Sequence, residues 1–313
     1  MKLQQLRYAL EVYQNNLNVS EAAEALFTSQ PGISKQIRLL EEEIGVAIFV
    51  RQGKRLIAVT EPGEKVLAIA DRILRDTKNI KKIGDDFAQK NIGKLSIASI
   101  PSWINNKFPN IFGEFIQDFP DVKVSIINAN ANTIKTLLEN GEIDIGIAVG
   151  NVSDFGELHC LPFDKLQYRL IVRKNHQLAN KEDITLSDLN NYPILAEEIM
   201  CDESLQFTQK FVEHGLDTPE IIMKSSDSNI IVQLVKQKFG IGIVSHYFNV
   251  DSDDVIVKDL SNLFDDVHIN ILLKNNYYLR GYLYEFIEKI SPNLDKNTLQ
   301  KLLYQPIVDD YSI

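Results

Sequence analysis

Apolar positions in the first sixty residues recur at helical spacing and then change to strand spacing. Leu3, Leu6, Leu10 and Tyr13 are three or four apart, as on one face of a helix. Residues 15–18, Asn-Asn-Leu-Asn, read as a turn, and Ser20 as the N-cap of a short helix over 21–26. The small Ala22 and Ala23 would let a second helix cross closely. A new start follows at 28–32: Thr28 or Ser29 can cap, and Pro31 is tolerated in a first turn because its missing N–H would be unpaired anyway. Ile33, Ile37, Leu40 and Ile44 give that helix a buried stripe, and Gly45 ends it. Residues 48–51 and 56–59 are strand-like around a turn at 52–55.

Pro62 opens a longer helix reaching about Phe87. Val66, Ile69, Ile73, Ile80, Ile83 and Phe87 form a heptad-like seam with Asp76 as its polar lapse. Such a stripe needs cover, either from the rest of its own chain or from the same helix of a second copy.

From residue 92 the pattern changes again. Buried strands are predicted at 95–100, 122–127, 144–149, 167–172, 194–195, 221–223, 240–244 and 269–273. Helices are predicted at 106–119, 133–140, 203–213, 229–238, 279–290 and about 296–304. Alternating strands and helices imply α/β layers with mostly parallel sheets, here in two groups with a cleft between them. The expected division is a winged helix-turn-helix over 1–60, with the helix-turn-helix itself at about 19–38, and a linker helix over 61–90. Lobe I then spans 92–163 plus 267–313, and lobe II spans 164–266.

Charge sharpens this division. The net charge is −10, yet residues 1–90 hold 14 Lys+Arg against 12 Asp+Glu, leaving 19 against 31 for the remainder. An acidic body with a mildly basic head is what phosphate attraction through one local face requires. No apolar run approaches a membrane span, and no secretory core follows Lys2 and Arg7, so a cytoplasmic protein without membrane contact is expected. Cys160 and Cys201 are too few for a disulfide framework; two idle thiols or a redox pair both remain open. The five histidines are scattered without metal-ligand spacing, and no metal or cofactor is expected.

Candidate chemistry falls in two places. At the second short helix, Ser29, Gln30, Pro31, Ser34, Lys35 and Arg38 present the polar, cationic face that can hydrogen-bond base edges and phosphates. Arg51, Lys54 and Arg55 tip a hairpin that can lie on the sugar-phosphate backbone. In the body, a ligand should sit past the carboxyl ends of strands. That selects the turn Ser99-Ile100-Pro101-Ser102-Trp103 and, across from it, Val149, Glu198, Asp202 and Ser226. The serines can equally be helix caps, and Trp103 either core or cleft wall. Asp144, Asp227 and the Glu197/Glu198 pair supply acids but no recognisable catalytic motif, so no enzyme is expected. A two-lobed solute-binding protein is the other class to weigh; the basic head tells against it.

The run Ala22-Ala23-x-x-Leu26-x-x-Ser29-Gln30-Pro31-x-Ile33-Ser34-x-Gln36-Ile37-x-Leu39-Leu40-Glu41, then Ile44-Gly45-x-x-Ile48-Phe49-x-Arg51 and Thr60-x-x-Gly63, resembles the N-terminal signature of the LysR-type transcriptional regulators. Residues 1–8, 16–20 and 28–36, and the tail Leu279-Arg280-x-Tyr282-x-Tyr284-x-Phe286-Ile287, are similar to its CysB-like branch of sulfur-assimilation activators. The resemblance implies paired linker helices, a dimer of dimers on promoter DNA, RNA polymerase as a further partner, and a periplasmic-binding-protein-like effector domain sensing a small molecule. In that branch a sulfate-type anion sits among hydroxyls of the cleft. Here Ser99 and Ser102 keep hydroxyls, but Ile100, Pro101, Trp103 and Val149 replace polar residues. Asp202 stands where a Thr is usual, and Glu197 and Glu198 would repel a dianion. The effector is therefore either of the sulfur branch or a bulkier, less anionic or cationic molecule of an unrelated pathway.

Overall fold

The computed structural model describes residues 1–53, 55–88, 91–201, 207–250, 252–265, 267–275 and 277–303. The chain divides into two compact units, one built chiefly on Met1–Ala88 and the other on the residues that follow.

The first unit contains α1 (Leu3–Gln14), α2 (Val19–Ala25), α3 (Gln30–Ile44), the hairpin β1 (Phe49–Gln52) and β2 (Arg55–Val59), and α4 (Glu61–Ala88). Leu6, Ala9, Val12, Ala22, Ile33, Ile37, Leu40, Ile48 and Phe49 close into one core. The stripe of α1 is rotated from the expected one. Leu3 and Tyr13 are about half exposed, while Ala9 and Val12 are buried, because small and β-branched residues complete the inward face. The cap of α2 also moves: Asn18, not Ser20, accepts the amides of Ser20 and Glu21 at 3.1 and 3.3 Å. Its short side chain reaches both orphan donors at once. At α3, Ser29 accepts the Gly32 amide at 3.3 Å as expected, and Gly45 ends the helix at φ 76°.

The start of α4 is locked to the wing. Thr60 Oγ1 donates to the Ala47 carbonyl at 2.6 Å and accepts the Gly63 amide at 2.9 Å. A Cβ on Gly63 would stand 2.2 Å from the Ile48 carbonyl oxygen, so only glycine permits this approach. Leu67 and Ala70 are buried in the head core, with Val66 and Ile73 packed beside them. Ile69, Ile80 and Ile83 are exposed. The predicted seam thus mixes two faces, one turned to the head and one exposed among the described residues.

The second unit carries two five-stranded sheets. Sheet I is ordered β4-β3-β5-β12-β6, from β3 (Gly93–Ser99), β4 (Val122–Asn128), β5 (Ile145–Val149), β6 (His159–Leu166) and β12 (Val267–Leu273). Sheet II is ordered β11-β7-β10-β8-β9, from β7 (Tyr168–Arg173), β8 (Ile194–Glu197), β9 (Ile221–Ser225), β10 (Ile241–Ser245) and β11 (Val255–Asp259). The expectation of mostly parallel sheets is corrected. β4, β3 and β5 are mutually parallel, but β12 runs antiparallel to both β5 and β6. In sheet II, β10, β8 and β9 are parallel, while β7 pairs antiparallel with β10 and β11. The antiparallel strands are those where the chain crosses from one sheet to the other and returns.

The helices are α5 (Pro101–Asn106), α6 (Phe108–Asp118), α7 (Ala131–Asn140), α8 (Leu186–Leu189), α9 (Phe207–Glu213), α10 (Ser228–Lys236), α11 (Gly281–Ile290) and α12 (Lys296–Leu303). The predicted helix at 106–119 is α6, running 108–118; a short additional helix, α5, begins directly after β3 and gives way at Lys107, ahead of Pro109 in the first turn of α6. The beginning of the expected 203–213 helix lies outside the described residues.

Candidate functional site

The outward face of α3 follows from its core face. With Ile33, Ile37 and Leu40 each at most 1% exposed, Gln30, Pro31, Lys35 and Arg38 project into solvent, and Ser34 is half-buried beside them. Neither Lys35 nor Arg38 has an ion-pair partner among the described residues. Both are free for an external phosphate. On the wing, Arg55 is exposed and Lys54 lies outside the described residues.

Arg51 is differently placed from the expectation. Its guanidinium donates to Glu41 Oε2 at 3.0 Å, and the other oxygen of Glu41 accepts the Ile48 and Phe49 amides at 2.9 and 3.2 Å. Glu41 therefore fastens the hairpin to α3, with Arg51 as its counter-charge. Sequence spacing carries no signal for a pair ten residues apart across a turn.

In the second unit, a cleft of about 750 Å³ opens between elements of the two sheets. Ile100, Pro101, Val149, Glu198 and Ser226 line it, as the sequence reading expects. Ser99, Ser102 and Trp103 do not. All three are at least 95% buried, Ser99 Oγ lies 3.5 Å from the Ile100 carbonyl oxygen, and Trp103 packs against Phe108 with ring centroids 6.5 Å apart. Ile100 is the N-cap of the short helix α5, whose Ser102 and Trp103 are buried behind the wall while Pro101 stays on it. Asp202 lies outside the described residues.

The sequence reading misses the Asn128-Ala129-Asn130 corner, Thr133, Asn105 and Lys224, which also line the cleft. The corner was findable: it stands at the carboxyl end of a predicted strand and before a helix, where ligands of open α/β sheets sit. Asn130 Oδ1 accepts the Thr133 amide at 2.9 Å and caps α7.

The candidate acids have structural duties. Asp144 accepts the Ser96 amide at 2.8 Å, and Asp227 caps α10 by accepting the Asn229 amide at 2.9 Å. Glu197, 2% exposed, accepts the Ser245 amide at 2.7 Å and still borders the cleft.

Just beyond Ser245 the two sheets are tied together. Tyr247 Oη donates to Asp164 Oδ2 of β6 at 2.6 Å, Asn106 Nδ2 donates to the Tyr247 carbonyl, and the Lys107 ammonium lies 5.8 Å from the Tyr247 ring centre. Burial, then the Asp164 hydrogen bond and charge, hold the Tyr247 phenol far above its usual range. Burial lowers the neighbouring His246; Asp164 opposes this and Arg169 and Lys107 add to it. Its Nδ1 accepts the Gln167 amide at 3.2 Å. Asn106 follows Asn105 of the cleft wall, so the tie begins at the cleft.

Two family models cover this arrangement. Residues 3–64 match the bacterial regulatory helix-turn-helix protein of the lysR family, and residues 88–294 match the LysR substrate binding domain. The chain belongs to the LysR family. This LysR-type protein is 33% identical to the HTH-type transcriptional regulator CysB of Burkholderia cenocepacia, over 97% of each chain. It is 32% identical to the HTH-type transcriptional regulator cbl of Escherichia coli, over 100% of each. The crystal structure of the cofactor-binding domain of the Cbl transcriptional regulator superposes with a TM-score of 0.64 at 26% identity, covering 69% of this chain and 95% of that one. The LysR-type chain is thus a DNA-binding transcriptional regulator with a small-molecule-binding domain. Among its described residues, no helix is long and apolar enough to cross a membrane.

Proposed function

We propose that this regulator reads promoter DNA through Ser29, Gln30, Pro31, Ser34, Lys35 and Arg38, with Arg55 and Lys54 on the adjoining backbone. It senses its effector in the cleft beside Ile100, Pro101, Val149, Glu198 and Ser226. The division into head (1–60), linker (61–90), lobe I (92–163 plus 267–313) and lobe II (164–266) belongs to this reading. So does a cytoplasmic dimer of dimers that contacts RNA polymerase and acts by binding alone. The observation that carries it is the outward face of α3, whose Lys35 and Arg38 are unspent on internal pairs. The exposed Ile69, Ile80 and Ile83 of α4 support pairing of linker helices.

The target genes are those of sulfur or cysteine metabolism, on the strength of the full-length likeness to CysB and cbl. Ile100 and Val149 in the cleft wall favour the second reading, a LysR-type regulator of another pathway.

A gel shift with the DNA upstream of its own gene tests the core of the proposal. Binding should fall steeply with salt. Lys35→Ala and Arg38→Ala should each lower the log–log salt slope by about 0.9 per lost phosphate contact and leave the fold intact. Salt-independent or absent binding would sink it. Transcript profiles of a deletion strain under sulfur limitation separate the two pathways.

A further inference from the structure

We infer that the cleft takes a solute bearing a positively charged N–H donor, an ammonium or guanidinium group, seated on Glu197. This rests on the reading of the cleft as the effector site and narrows its ligand.

Glu197 ends β8 at the cleft wall and is 98% buried. Its Oε2 is fixed by the Ser245 amide at 2.7 Å, while Oε1 accepts no hydrogen bond from any described residue. A carboxylate held out of water with one oxygen unspent is costly unless a donor meets it, and a cationic donor gains most because the surrounding dielectric is low. The other charges of the wall point the same way. Glu198 and Asp227 add two carboxylates, and Lys224 is the one cation among the described lining residues. Asp227 is engaged at Asn229, and Glu198 and Lys224 stand in solvent where their fields are screened. A compact dianion would meet net negative charge and the apolar Ile100 and Val149. The volume, about 750 Å³, is that of a site for an organic molecule rather than an inorganic oxyanion.

The ammonium group could arrive on an amino acid, whose carboxylate Lys224 would take, or on a diamine. Melting temperatures of the full chain distinguish these. The panel is L-arginine and L-ornithine, agmatine and putrescine, and sulfate and thiosulfate, at matched ionic strength. A ligand bound only by the folded state raises the midpoint by mass action. At least one amine-bearing solute should raise it, and Glu197→Gln should weaken the response about tenfold or more, as for loss of a charged hydrogen bond. The variant keeps the acceptor for Ser245 and is checked by circular dichroism. If it does not fold, the diol matching putrescine or the N-acetylated amino acid replaces it as control and should give no shift in the wild type.

No shift with any amine, an unchanged shift in Glu197→Gln, or a shift with sulfate alone overturns the inference. Gel shifts on the same preparations keep the two questions apart. Intact salt-sensitive DNA binding with a negative panel removes only the ligand assignment, whereas absent DNA binding removes the regulator reading itself.

Discussion

Arg51 and Glu41 form a 3.0 Å ion pair that joins the β1–β2 hairpin to α3. Because Glu41 also accepts two wing amides, Glu41→Ala should strip three bonds at once and destabilise the head by about 2 kcal/mol. Hydrogen exchange of the Ile48 and Phe49 amides in the full chain should speed up accordingly; unchanged protection would show that the hairpin stands without this anchor. Arg51→Ala should alter the salt slope of DNA binding less than Lys35→Ala does.

Gly63 offers a sharper test of packing. Its missing side chain lets the α4 backbone approach Ile48 to a distance no Cβ survives. Gly63→Ala should cost roughly 2 kcal/mol or more through forced backbone displacement, despite the better helix propensity of alanine. Denaturant unfolding followed on the head helices measures it. A neutral or stabilising result would mean that the wing and α4 are not in contact.

Tyr247→Phe removes the phenol that meets Asp164 at 2.6 Å and leaves the ring in place. Loss of this bond should cost about 1 kcal/mol or somewhat more and should quicken amide exchange at residues 164–168 and 245–248. The effect should stay local to the junction of the two sheets. Exchange changes confined to other strands would count against a tie there.

Cys160 should be a poor nucleophile. Partial burial, with the Asp154 charge adding to it, pushes its thiol up to about 11. At neutral pH it stays protonated, so alkylation should be far slower than for a free thiol and accelerate only toward pH 11. The folded state holds this proton more tightly than the unfolded one. Its stabilising contribution is therefore complete below about pH 9 and is lost as the pH rises toward 11. Titrating the alkylation rate of a chain lacking Cys201 gives the answer; rapid labelling at neutral pH would refute it.

What the sequence disclosed depended on whether the signal was local. The helix-turn-helix could be read because Ser29, the Ile33-Ile37-Leu40 stripe and Gly45 each declare their role within a few residues. The α1 stripe is misplaced in the pattern because Leu3 and Leu10 are larger and more apolar than Ala9, although Ala9 and Val12 are the buried positions. β6 was missed because His159, Pro162 and Asp164 break any apolar run, and β11 because it is short and half exposed. The direction of β12 is set by its partners, which lie more than a hundred residues upstream. At the cleft, the strand ends point to Ile100, Val149 and Ser226, all three of which line it. The turn of α5 that hides Ser102 and Trp103 left no mark in the pattern.

The place of β12 bears on how the protein is made. Sheet II is finished with β11 at Asp259, but sheet I lacks the strand between β5 and β6 until Val267–Leu273 has left the ribosome. The earlier half of the body must therefore wait, edges unpaired, while the later half closes. Any chain cut short before Val267 would keep residues 1–60 on a body whose sheet I lacks the strand that joins β5 to β6. Such a fragment could still occupy operators without being able to answer a signal.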